Sequence, residues 1–67
     1  MDDEQLENLI YGLVHYRPEL WTDQLLAHET REPLVKVQAA INRLVAAGLL
    51  IQTGQRVRRV IPAKEKP

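Results

Sequence analysis

The chain contains no cysteine and no serine, and its three glycines are isolated. Without cysteine there is neither a disulfide framework nor a thiolate metal site. Two common catalytic nucleophiles are missing with these residues. Isolated glycines do not form the glycine-rich loop that cradles phosphates. His15 and His28 lie thirteen residues apart with no carboxylate at ligand spacing, so they do not suggest a metal site. No enzymatic activity, cofactor or metal is expected. No apolar run approaches the roughly 20 residues that cross a bilayer. The opening Met1-Asp-Asp-Glu lacks the basic stretch of a secretion signal. The expected setting is cytoplasmic, away from membranes.

What is present fits one small folded unit. The chain has 67 residues, 45% of them hydrophobic, which suits a single core and is too apolar for disorder. Without disulfide or metal, that core must come from well-packed helices. The expected domain is 1–62, followed by a polar tail at 63–67.

Net charge is zero but unevenly spread. Residues 1–33 hold eight acids and two bases, a net of −6, and residues 34–67 hold seven bases and one acid, a net of +6. Such asymmetry is a hint of polyanion binding. It is also what results when an acidic half pairs with a basic half inside the fold.

Three helices are expected. The first spans about Asp3 to Tyr16, capped by Asp2 or Asp3, with Leu6, Leu9, Ile10, Leu13 and Val14 at helical spacing. Arg17-Pro18 ends it, because a residue before proline avoids helical angles. Gly12 within it is either incidental or marks a close backbone approach. The second helix opens at Thr22, a good N-cap, though Leu25 denies it a full capping box. Trp21, the single tryptophan, reads as a core plug, able to staple against Leu25 or Leu26. Leu20-Trp21 can also form a short edge strand against the hairpin described below. Glu29 to Glu32 is the expected turn. Pro33 then suits the first turn of the third helix, capped by Glu32 or Thr30.

On the third helix, Leu34, Val37, Ile41, Leu44 and Val45 fall within one arc and should face the core. Gly48 suits the left-handed position that closes a helix. The opposite face carries Val35, Lys36, Ala39, Asn42, Arg43 and Ala46, with Gln38 at its margin. Asn42 can reach adenine with two hydrogen bonds, and Arg43 or Lys36 can reach guanine or phosphate. Val35 or Ala39 can touch a thymine methyl. The small apolar members of this face also suit a protein partner, including a second copy of the chain.

Leu49 to Ile61 reads as a β-hairpin turning at Thr53-Gly54-Gln55 and stopped by Pro62. Leu49, Ile51 and Val57 are expected on its inner face, with the alternation breaking at Arg58-Arg59-Val60. Burying both Val57 and Val60 would need a bulge. Arg56, Arg58 and Arg59 crowd one short strand, more positive charge than is needed to guard a sheet edge. They are placed for phosphates or a minor groove.

Thr22-x-x-Leu25-Leu26-Ala27, Val37-x-x-Ala40-Ile41-x-x-Leu44-x-x-x-Gly48-Leu49-Leu50 and Gly54 together form a pattern over Thr22 to Ile61. On it the chain resembles the winged-helix-turn-helix superfamily, in particular its small stand-alone DNA-binding regulators of bacteria, phages and plasmids. The resemblance implies an α+β fold, a three-helix winged helix-turn-helix with a C-terminal two-stranded β-hairpin wing. It also implies a transcriptional regulator that binds double-stranded DNA through third helix and wing, commonly as a homodimer. The residues expected on DNA are Lys36, Gln38, Ala39, Asn42, Arg43, Arg56, Arg58 and Arg59. Members of this superfamily also serve as protein–protein modules, so an adaptor or inhibitor of a larger protein is the alternative. One departure stands out. Regulators of this kind carry a small residue and a serine or threonine at the turn into the third helix. This chain has Arg31-Glu32-Pro33, and Glu32 would repel a phosphate there.

Overall fold

The computed structural model describes residues 1–17 and 19–60. Pro18, Ile61, the stop at Pro62 and the tail at 63–67 lie outside the described residues. The order of elements is α1 (Asp3–Tyr16), α2 (Asp23–Thr30), α3 (Leu34–Ala46), β1 (Leu50–Thr53) and β2 (Arg56–Arg59). This is the expected α+β layout of three helices and a β-hairpin.

Local chemistry sets each boundary. Asp2 caps α1 by accepting the Gln5 amide N–H at 2.8 Å, and the Gln5 side chain accepts the Asp2 amide in return. This reciprocal box satisfies two amides that the first turn leaves free. Thr22 caps α2 by accepting the Leu25 amide at 3.1 Å. At the end of α2, Arg31 takes a left-handed conformation (φ 61°), and both the Arg31 and Glu32 amides donate to the Ala27 carbonyl. Arg31 is the only non-glycine residue with positive φ among the described residues.

The entry to α3 differs from expectation. Pro33 is itself the N-cap, and neither Glu32 nor Thr30 caps the helix with a side chain. The buried Thr30 hydroxyl donates back to the Leu26 carbonyl at 2.7 Å, so it serves α2. Glu32 instead lies 3.5 Å from the Lys36 ammonium. At the other end, Gly48 (φ 79°) donates to Val45 and Leu49 donates to Leu44, both at 2.9 Å. Those two bonds are the Schellman closure, which needs a left-handed residue and so favours glycine.

The core joins all five elements. It comprises Leu6, Ile10 and Val14 of α1, Trp21, Leu26 of α2, Val37, Ala40, Ile41 and Leu44 of α3, Leu50 and Val57. Each large member contributes about 1.5–3 kcal/mol by leaving water. Trp21 is the plug the sequence suggests, 1% exposed, with its indole N–H donating to the Arg17 carbonyl at 3.1 Å. Two apolar stripes are narrower than periodicity suggests. Leu9 on α1 and Leu34 and Val45 on α3 lie at the borders of their arcs and remain exposed. Ala40, absent from the expected arc, is fully buried, since helical spacing sets it beside Val37 and Leu44 of the core. No atom comes within 4 Å of where a Cβ on Gly12 would sit, so that glycine marks no close approach.

The hairpin pairs Leu50 with Arg59, Ile51 with Arg58, Gln52 with Val57 and Thr53 with Arg56. Successive side chains alternate between faces, and Leu50 and Val57 point inward while Ile51 points out. The expected inner set of Leu49, Ile51 and Val57 is therefore off by one position on the first strand. Gly48 and Leu49 are consumed by the helix closure, which delays the strand to Leu50 and reverses its alternation. No bulge is required: β2 ends at Arg59, and Val60 is half-buried beyond it. Gly54 opens the two-residue turn with φ 62°. Trp21 and its neighbours add a minimal third strand. Thr22 bridges Arg56, the Val57 amide donates to Trp21 and the Asp23 amide donates to Gln55. This edge pairing involves residues 21–23, slightly later than the Leu20-Trp21 expected.

Candidate nucleic-acid interface

The eight residues expected on DNA divide into three groups. Ala39 and Asn42, with Val35 and Ala46, recur at helical spacing on the outward side of α3, and all four are exposed. They form an uncharged surface. Lys36, Gln38 and Arg43 flank it and are already engaged.

Arg43 donates through Nε to the Glu7 carboxylate of α1, and its guanidinium lies 4.0 Å from Asp3. Glu7 and Asp3 are one helical turn apart and so meet the same side chain. The Lys36 ammonium donates to the Met1 carbonyl at 2.6 Å and sits near Glu32. On the other flank, the Gln38 amide donates to Asp23 at 3.1 Å. That bond satisfies one oxygen of a carboxylate whose residue is 5% exposed, while its other oxygen accepts the Gln24 amide at 2.7 Å. Lys36, Gln38 and Arg43 therefore brace α3 against α1 and the start of α2. Their spacing along the helix allows them on the outward face as well. Only the packing of α1 delivers two carboxylates beside Arg43.

Arg56, Arg58 and Arg59 form the third group. All are exposed, and none has a carboxylate partner among the described residues. Arg58 makes one long hydrogen bond to the Thr53 hydroxyl at 3.4 Å, across the turn. The uneven charge of the chain thus has two outcomes. Part is cancelled internally, between α1 and α3. The part on β2 is left facing solvent.

Further residues join the arginines in space. A concavity of about 380 Å³ lies between the end of α1 and β2. On the β2 side lie Arg56, Arg58 and Arg59, with Arg59 on the face of Val57 and the other two on the opposite face, and on the α1 side lie His15, Tyr16, Arg17 and Glu19, with Val14, Trp21 and Val57 also lining it. Arg17 is held over the Trp21 ring, 5.7 Å from its centroid, and bonds Glu19 at 2.8 Å and Glu29 at 3.3 Å. The His15 ring packs 4.0 Å from that of Tyr11, and its Nδ1 lies 3.0 Å from the Tyr11 carbonyl. Tyr16 is 83% exposed. The one signal of this second wall in the sequence is the aromatic and basic run His15-Tyr16-Arg17, which periodicity alone does not single out.

Comparisons with protein families, with curated proteins and with solved structures found no match to this chain. No described helix is long and apolar enough to cross a membrane.

Proposed function

We propose that the protein binds double-stranded DNA and acts as a small regulator of transcription. β2 lies on the phosphate backbone or in the minor groove, and the outward face of α3 approaches the major groove. The observation that carries this reading is the set Arg56, Arg58 and Arg59, exposed on one short strand with no carboxylate among the described residues to neutralise them. Unpaired guanidiniums gain most from phosphate, because binding releases condensed counterions. Asn42 can read an adenine edge, and Ala39 can meet a thymine methyl. Lys36 and Arg43 contribute little charge to the DNA, since carboxylates already hold them.

A second reading rests on a different observation. The outward face of α3, from Val35 through Ala39 and Asn42 to Ala46, is uncharged, and Val35 on it is 78% exposed. Such a surface suits a protein partner or a second copy of the chain. Anisotropy titration of a labelled random duplex at two salt concentrations separates the two. The DNA reading expects binding at low salt that weakens steeply as salt rises. No binding at low salt would leave the interaction module, and then Ala39→Glu should abolish association.

A further inference from the structure

We infer that the concavity between α1 and β2 is a binding site for a nucleotide, with the phosphate held by the β2 arginines and the base stacked on Tyr16. The site goes beyond duplex binding and does not require it. Three features of the cleft point to this ligand.

The first is charge. Four arginines line the cleft against one carboxylate, Glu19, which is bonded to Arg17. Arg17 is further neutralised by Glu29, so the surplus positive charge belongs to Arg56, Arg58 and Arg59. Guanidiniums offer paired donors matched to phosphate oxygens. The second is the exposed ring. Tyr16 is 83% exposed in a domain whose only tryptophan is buried, and it borders the same cleft. An aromatic face beside guanidiniums is the combination on which unpaired bases stack. The third is size. About 380 Å³ lies within the roughly 300–1,000 Å³ usual for small-ligand sites.

The wall is braced for this role. Arg17 meets Glu19, Glu29 of α2 and the Trp21 ring, which ties the end of α1 to α2 and to the residue that pairs with β2. Backbone bonding between Trp21 and Val57 fixes the cleft at its inner end.

Trp21 lines the cleft and is the chain's single tryptophan, so its emission reports occupancy. The experiment titrates AMP, adenosine and inorganic phosphate separately, following Trp21 fluorescence and the amide NMR spectrum. AMP should bind saturably and shift the resonances of Tyr16, Arg58 and Arg59. It should bind roughly tenfold more tightly than inorganic phosphate, the increment expected of one stacked base. Adenosine should not bind measurably. Tyr16→Ala, at an exposed position, should keep the parent fold by NMR and bind AMP only as well as phosphate. Arg58→Gln should weaken AMP and phosphate alike. The inference is overturned if AMP shifts nothing, if adenosine binds as well as AMP, or if Tyr16→Ala keeps the full advantage of AMP over phosphate. Duplex binding without AMP binding would remove this site and leave the proposed function standing; AMP binding without duplex binding would do the reverse.

Discussion

The Arg43 guanidinium of α3 is bonded to the Glu7 carboxylate of α1. Sequence spacing places Arg43 near the surface that a third helix would present to DNA, yet the fold turns it toward the acidic first helix. The double variant Asp3→Asn/Glu7→Gln should therefore release a cation and remove two carboxylates that oppose phosphate. Both ion pairs of Arg43 are partly exposed, so loss of stability should stay within about 1 kcal/mol. Duplex affinity at low salt should rise, and the slope of log affinity against log salt should steepen by about 0.9, the increment of one further neutralised phosphate. Denaturant unfolding and duplex titration of the same variant measure both effects. Unchanged affinity would mean that Arg43 stays away from the DNA even when free.

The hairpin register makes a sharp distinction between two neighbours. Leu50 is 2% exposed and Ile51 is 39% exposed. Leu50→Ala should cost about 2–5 kcal/mol, the range for a buried leucine. Ile51→Ala should cost less than about 1 kcal/mol, since its side chain already meets water. The reverse order in urea unfolding would restore the inner face expected from the sequence.

Arg31 is the left-handed residue that closes α2. Side chains with a Cβ pay about 1–2 kcal/mol in that conformation. Arg31→Gly should raise stability by up to about 1 kcal/mol, because the extra freedom of glycine in the unfolded chain offsets part of the relief. A higher midpoint of thermal unfolding would report it. A lower midpoint would show that the Arg31 side chain stabilises the fold by some other means.

Much of the architecture is legible in the sequence. Asp2 and Thr22 are strong caps, Gly48 and Gly54 sit where positive φ is required, and Trp21 is too large to leave exposed in a domain of this size. The first helix has the bounds expected of it, Asp3–Tyr16. What is not legible depends on neighbours distant in sequence or on a choice between equivalent local bonds. Leu49 reads as strand because nothing local shows that its amide closes α3 onto Leu44. Thr30 and Glu32 both look like caps for α3, but Thr30 bonds within α2 and Glu32 faces Lys36. Lys36 and Arg43 look available because helical spacing alone does not reveal what packs beside a helix. The arginines of β2 stand out by charge density, and the fold leaves them exposed.

The central claim is that β2, and not the cations of α3, meets the phosphates. The most direct measurement compares the salt dependence of duplex binding for the parent with two variants, Arg56→Ala/Arg58→Ala/Arg59→Ala and Lys36→Ala/Arg43→Ala. The slope of log affinity against log salt should flatten by about 0.9 for each phosphate no longer neutralised, or roughly three units at most for the triple variant. The double variant should keep the parent slope. Equal flattening in both variants, or a parent slope retained in the triple variant, would contradict the claim.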